Sequence, residues 1–576
     1  MRTQSRSATA TTHTVFKMQS FLWTIVFICS STSTVFGYTG ASTGTRSTCS
    51  YAESSSPKDS STATSTSTMS APNKPISIPW LIVGGGIHGV HIAARLVGSG
   101  VCSSTSTHTT PSQDICIVDG HDSLLKSWKS RTRNTGMKYL RSSAGYHLDL
   151  LEDSLRFFGN DGDDNHGDGD EFATRTNNDK AGQKRKTTTK KNKRKKKKRL
   201  QIHNNNKEGY FSNDYKRPRL DIFNQHCDSV IDKYNLDQMH TQGIVTKIEP
   251  LEDYVKVQVL LSTNSKDEGG HNHAKTIEYH ADKIVLALGN DEPSYADWVE
   301  DYDVEKGFVR HLLDVDVDAD ADGNVNHGPD KEKLHRVAIV GGGITAAHKA
   351  LELSRRYQQE KKDGNAAPSS IHLISRHPLK EQQFDTHQDW MMDRAASKRS
   401  EEGGGSGTPK CQVLFQQCDC WKERRKIIAQ ERIPGTVTPA VHRGEDGLNY
   451  AIENGDVEWH QAEIVDKAYA MENGKDEISH LELTLSCGQT IQVDRVLLAT
   501  GFKKNVPGGS LVRDLVDNST LNVSDFCGYP IVDENLLWDK KRIYVAGALA
   551  ELELGPSARN IAGARLAAER IVQAFV

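Results

Sequence analysis

Trp80-Leu-Ile-Val-Gly-Gly-Gly-Ile-His-Gly89 reads as a short apolar strand running into a glycine turn. Gly84, Gly86 and Gly89 fit G-x-G-x-x-G. The first glycine permits the tight turn, the second lets a pyrophosphate approach the backbone, and the third lets the following helix sit close to the strand. The helix that starts there would offer unpaired N–H groups and the positive end of its dipole to phosphate. Its apolar face is legible as Val90, Ile92, Ala93, Ala94, Leu96 and Val97. The next strand, Ile115-Cys-Ile-Val-Asp119, ends in the acid expected to bind a ribose hydroxyl. Asp119 comes later than the usual ~20 residues, and the Ser/Thr-rich stretch Ser103–Gln113 accounts for the excess as a loop insertion.

The pattern recurs. His335-Arg-Val-Ala-Ile-Val-Gly341-Gly-Gly343-Ile-Thr-Ala346 repeats strand, turn and helix, with alanine at the third position. The strand after it, Ile371-His-Leu-Ile-Ser375-Arg376, ends in Ser-Arg where an NAD site would carry an acid. An arginine there can pair with a 2′-phosphate, which favours NADPH over NADH. Two such folds in one chain make a more specific signal than either alone.

The 576 residues are 36% hydrophobic with formal net charge −3. That length allows two or three domains, each with its own core. The near-neutral balance gives no reason to expect nucleic acid as the main partner. Ten cysteines without regular spacing do not form a disulfide framework. Cys418-Asp-Cys420 is not C-x-x-C and has no second ligand pair at zinc spacing, so it carries neither a redox nor a metal assignment; in a strand the two thiols would share a face.

Residues 1–75 read as a targeting presequence and linker. The apolar run 21–29 follows basic residues and is too short to span a bilayer, which takes ~20 residues. The stretch 38–70 is rich in Ser and Thr and poor in acids. That two-part arrangement points to a plastid bounded by extra membranes; a secretory signal or a mitochondrial presequence are the alternatives. Within 159–207 an acidic tract (161–171) precedes a basic run (184–199), blocks that cannot bury apolar surface and stay solvated. A second acidic stretch, 314–322, misses the calcium-loop spacing. The remainder alternates as strands over 243–261 and 275–288, and closes with buried strands at Asp494-Arg-Val-Leu-Leu-Ala499-Thr500-Gly501-Phe502 and Arg542-Ile-Tyr-Val-Ala-Gly547-Ala548. A last Ala-rich helix begins near Pro556 and Asn560.

With both glycine turns and the late Asp-x-x-x-Leu-Ala-Thr-Gly-Phe at 494–502, the chain resembles the FAD- and NADPH-dependent N-hydroxylating flavin monooxygenases of the lysine/ornithine type. It looks most like a poorly characterised FAD/NAD(P)-binding branch of that superfamily, over roughly 76–576 less the charged insertions. The resemblance implies an α/β fold of two Rossmann-like dinucleotide-binding domains, the NADPH domain inserted in the FAD domain. The FAD domain would comprise 76–158, 208–333 with its acidic insertion, and 494–576, interrupted by the insertion 159–207 and the NADPH domain at 334–493. It also implies cofactor contact by Trp128, Met137, Thr500 and Gly501. Asn560 would open a helix aimed at the flavin's pyrimidine edge. Gly547-Ala548 stands where many flavoproteins carry a glycine–aspartate pair for the ribityl chain.

The expected activity is FAD-dependent oxidation of NADPH with O2, hydroxylating a small amine or amino-acid-like substrate. A quinone-type NAD(P)H:acceptor reductase and a non-catalytic nucleotide-binding protein are the alternatives. No acid, base or nucleophile has a recognisable spacing, no metal site is expected, and neither a membrane span nor an oligomeric state is read from the sequence.

Overall fold

The computed structural model describes residues 74–102, 114–151, 154–158, 216–261, 275–290, 292–314, 336–364, 369–387, 390, 410–471 and 478–576. The presequence, the loop insertion at 103–113, the charged insertion 159–207 and nearly all of the acidic stretch 314–322 lie outside these residues.

The chain opens with β1 (Ile76–Val83), α1 (Ile87–Gly98), β2 (Ile115–Asp119), α2 (Lys126–Asn134) and α3 (Leu220–Lys233), then β3 (His240–Pro250), β4 (Val255–Leu261) and β5 (Lys275–Leu286). β1 lies between β2 and β5, parallel to both. Covered on both faces, it reads as an almost continuous apolar run, as buried parallel strands do. β3 begins beside β2 and then turns with β4 and β5 into an antiparallel meander.

After β5 come β6 (Val309–His311), β7 (Arg336–Val340), α4 (Ile344–Lys362), β8 (Ser370–Ser375), α5 (Trp421–Glu431) and β9 (Glu458–Gln461). An antiparallel trio follows, β10 (Ile464–Met471), β11 (Ile478–Leu485) and β12 (Thr490–Val493), and then β13 (Arg495–Leu498). The second sheet is all parallel, in the order β9-β8-β7-β13-β6. It therefore draws on β6 and β13, both outside the 334–493 read from the sequence. The glycine fingerprint marks where such a sheet is wound around, not where its outer strands enter.

The chain returns to the first sheet through β14 (Leu537–Trp538) and β15 (Ile543–Val545), which extends it beside β5. It ends in α6 (Ile561–Gln573), whose N-cap Asn560 accepts the Gly563 N–H through Oδ1 at 3.0 Å. α6 meets α1 through a seam of small residues: Ala93, Ala94, Ala564, Ala567 and Ala568 are all fully buried. Small side chains let the two helices approach closely, and α1, apolar on nearly every side, is enclosed between α6 and the sheet.

Cys418 and Cys420 lie in the turn between helix Lys410–Gln416 and α5, not in a strand. The described cysteines are all free thiols. Among the described residues no helix is long and apolar enough to cross a membrane.

Candidate functional site

The two glycine turns are built alike at the carboxyl ends of β1 and β7. Gly84 and Gly341 have φ of +111° and +149°, values that exclude most side chains. A Cβ on Gly84 would stand 2.4 Å from the Ala287 carbonyl oxygen just past β5; one on Gly341 would stand 2.6 Å from that of Ala499 just past β13. Each first glycine thus lets its turn lie against the neighbouring strand. Gly89 holds α1 against its own turn, where a Cβ would fall on the Gly84 carbonyl. Ala346 does the corresponding work in α4, where it is buried.

The middle glycines differ. Around Gly86 nothing lies within 4 Å of where a Cβ would stand, and α1 starts there without any side-chain cap. This is an open cradle of backbone amides, the arrangement that receives a pyrophosphate. At Gly343 the same space is faced by the backbone of Gly435, 3.2 Å away. Gly435 closes the turn before the short strand Thr436–Val437, which pairs with Lys380–Glu381.

Asp119 ends β2 beside the first turn. One carboxylate oxygen accepts the Gly85 N–H at 2.6 Å and the other accepts the His121 N–H at 2.9 Å. The side chain reading assigned to ribose therefore also pins the glycine turn. At the end of β8, the Ser375 hydroxyl donates to the His377 carbonyl at 2.9 Å and accepts from Trp459 Nε1 at 3.0 Å. Ser375 is buried and shapes the turn. Arg376 projects into solvent, with Glu463 3.9 Å away.

α2 and the loop after it connect the two sheets. Trp128 donates from Nε1 to Asn224 on α3 at 3.0 Å and packs on Phe223. Met137 packs against the core of the first sheet. Arg131 donates to the Leu313 carbonyl at 2.9 Å and lies over the Phe502 ring. Gly136, with φ of +67°, presses against Glu352 of α4. Arg141 reaches the Gln382 and Gln383 carbonyls at 2.8 and 2.9 Å and Thr436 Oγ1 at 2.7 Å. Trp128 and Met137 thus anchor the segment, and its arginines hold the second sheet's loops.

Thr500 and Gly501 close β13 against Ser294 and His311. His311 Nε2 lies 3.1 Å from Thr500 Oγ1, and the Gly501 carbonyl accepts the Ser294 N–H at 2.9 Å. Gly547, at φ +64°, sits where a Cβ would be 3.5 Å from the His88 ring. His88 in turn reaches the Ala558 carbonyl through Nε2 at 3.0 Å. Burial pushes the His88 imidazole down to about 4, so it is neutral at pH 7. His88 thus joins the first turn of α1 to both ends of the segment leading into α6.

His88, Arg141 and Gly435 carry no signal in the sequence that assigns them these roles. His88 occupies a variable position of the fingerprint, and its partners are some 470 residues away. Beside this region, buried Glu551 accepts from Arg425, Arg432 and Arg559 at 2.8–3.1 Å. Burial works to raise the Glu551 carboxyl, but the arginines outweigh it and hold the group below its ordinary value.

Neither a scan against protein-family models nor a search of curated proteins finds a match. Solved structures do match across nearly the whole chain. The ornithine hydroxylase PvdA of Pseudomonas aeruginosa is 14% identical, covers 87% of this chain and 99% of its own, and has a TM-score of 0.54. The ornithine N-hydroxylase KtzI of Kutzneria sp. 744 is 17% identical over 86% of this chain and 98% of its own, at 0.51. The cadaverine monooxygenase DfoA of Erwinia amylovora is 13% identical over 86% and 94%, at 0.52. At these identities it is the fold that is shared: the chain has the α/β fold of the N-hydroxylating flavin monooxygenases, the superfamily its glycine turns resemble.

Proposed function

We propose that this chain is an FAD-dependent, NADPH-oxidising monooxygenase acting on a small primary amine. The observation that carries the reading is the pair of glycine turns: alike at their first and third positions, but with Gly86 open and Gly343 faced by a loop. The open cradle suits a cofactor held permanently, and the faced one suits a dinucleotide that comes and goes. In this reading the first sheet holds FAD and the second, inserted in it, holds NADPH.

The residues present fit those groups. Gly84, Gly86 and Gly89 with the uncapped start of α1 would hold the FAD pyrophosphate. Asp119 would reach a ribose hydroxyl while keeping its backbone bonds, since a carboxylate can accept several. Gly341, Gly343 and Ala346 would hold the NADPH pyrophosphate, and exposed Arg376 is free in space to meet a 2′-phosphate. Met137, Thr500, Gly501, Gly547 and Asn560 would line the cofactor cleft, with the amino end of α6 favouring negative charge nearby. Once bound, the flavin supplies the hydride acceptance and oxygen chemistry; the chain orients it and excludes water. An amine substrate is supported by the named substrates of the structural relatives, ornithine and cadaverine.

The test is an absorbance spectrum of the purified full chain before and after anaerobic NADPH, followed by oxygen uptake with diamines and basic amino acids. The expected result is an oxidised flavin spectrum that bleaches, then amine-stimulated oxygen uptake yielding a hydroxylamine. A colourless protein that takes up no FAD would overturn the reading, as would bound flavin that NADPH leaves oxidised. Turnover with a quinone but no hydroxylated product would replace it with a reductase.

A further inference from the structure

At the outer edge of the second sheet, three side chains converge that neither glycine turn uses. His372 lies in β8; Glu458 and His460 lie in the edge strand β9. Glu458 is directly opposite His372 in the parallel register, and His460 is two residues further on, opposite Ile374. The strand period of two places all three on one face. That face also carries Ala338 and Ile374, which pack under the antiparallel trio β10–β12. Both imidazoles are buried, with 8% and 7% of their surface exposed, while Glu458 reaches solvent.

The spacing of their donor atoms is the informative feature. His372 Nδ1 is 3.1 Å from His460 Nε2 and 3.3 Å from Glu458 Oε2; His460 Nε2 is 3.7 Å from Glu458 Oε1. An ion with bonds of about 2.0–2.1 Å to four tetrahedral ligands sets those ligands about 3.3–3.4 Å apart. The three distances bracket that edge length; the two to Glu458 involve different carboxylate oxygens, and one donor atom from each residue lies within 4.8 Å of the others, close enough for one ion to gather all three. The orientation of His372 is fixed from behind, since its other nitrogen, Nε2, lies 3.1 Å from Ser370 Oγ. A hydrogen bond on the far nitrogen is how a ligating histidine is usually held in the tautomer that points its lone pair at the metal. Among the described residues no other trio of histidine, cysteine or acidic side chains converges in this way.

We propose that His372, Glu458 and His460 form a site for a divalent transition metal of the zinc class, with solvent completing the coordination on the exposed side. Two imidazoles and a carboxylate are a donor set that suits zinc, and the thiolates that would favour softer ions are absent from the trio. The metal would cross-link the edge strand to β8, whose end carries Ser375 and Arg376. It would act as a clip on the second sheet, independent of whether flavin or NADPH binds.

The experiment is titration of the metal-stripped full chain with Zn2+ by calorimetry, repeated with Co2+ in the visible spectrum and with melting curves. Expected are one tight equivalent, Co2+ bands of tetrahedral intensity, and a zinc-dependent rise in melting temperature. Glu458→Ala, an exposed position where misfolding is not at issue, should weaken binding at least tenfold and remove the rise. His372→Ala with His460→Ala should abolish both. No zinc bound by the parent, or the same affinity and spectrum in Glu458→Ala, would overturn the site and leave a histidine pair sharing a proton beside a carboxylate.

Discussion

Gly86 and Gly343 hold the same position in two turns and should respond differently to one added methyl. Gly86 has φ −80° and ψ −170°, which alanine adopts without strain, and empty space where its Cβ would go. Gly86→Ala should fold and melt like the parent yet lose flavin. Crowding of this kind costs about 1–3 kcal/mol, roughly ten- to hundredfold in affinity, read by equilibrium dialysis with FAD. Gly343→Ala should disturb the protein itself, because the methyl meets Gly435, and so lower the melting temperature before any ligand is added. A third substitution addresses Arg376, which projects into solvent with the exposed Glu463 near it, 3.9 Å away. Arg376→Ala should raise the KM for NADPH about tenfold, the value of a charge-assisted hydrogen bond, and leave that for NADH unchanged. These positions were legible from sequence because a glycine turn is a local object whose spacing is its function. Gly435 and His88 were not, since each acts on a turn that only folding brings beside it.

At the scale of elements, the segment from α2 to Arg141 is the link between the two sheets. The resemblance assigned Trp128 and Met137 of this segment to cofactor contact; the segment opens with α2. Its arginines were not legible as what they are. Arg131, Arg141 and Asn134 spend their hydrogen bonds on carbonyls of the second sheet's loops. Backbone carbonyls carry no sequence signal, so nothing in the partner stretches announces the contact. The sheet boundaries differ for two reasons: β6, three residues long, is too short to show a period, and β13, legible as a buried strand, carries nothing that says which sheet it joins. Arg141 is the test of the segment's role. Half-buried, it bonds to Gln382, Gln383 and Thr436, the residue next to Gly435, and so fixes the loop facing Gly343. Arg141→Ala should lower stability by about 2–3 kcal/mol, since bonds to a charged donor are lost. It should also raise the KM for NADPH more than it lowers kcat, while leaving FAD binding alone. Steady-state kinetics at varied NADPH, beside a urea titration, reads both; an unchanged KM would detach the segment from the second turn.

Across the whole molecule, buried titratable groups set how stability responds to acid. His88 and His348 are both pushed down to about 4, in each case chiefly by burial; at His348 the nearby charges of Arg217, Arg355 and Arg141 add to it. The unfolded chain binds their protons near 6.5 and the folded chain does so only near 4. Between those values the unfolded state holds more protons, so stability falls as pH falls. A gap of about 2.5 units at 1.36 kcal/mol per unit corresponds to about 3 kcal/mol for each group by pH 4. The depressed carboxylates act later: Glu551, held by three arginines, keeps its contribution above its ordinary value near 4.5 and loses it only as pH drops through its lower folded value. Acid should therefore weaken the protein in two stages, histidines first and paired carboxylates second. His348 gives the cleaner test, because its Nε2 is buried on α4 without a hydrogen-bond partner. His348→Leu should remove about 3 kcal/mol of the loss between pH 7 and pH 4, measured by urea unfolding at both pH values. Its stability at pH 7 should change far less than that at pH 4. Equal losses in parent and variant would mean that His348 is charged in the folded protein, and that its arginine neighbours are arranged to tolerate a further positive charge.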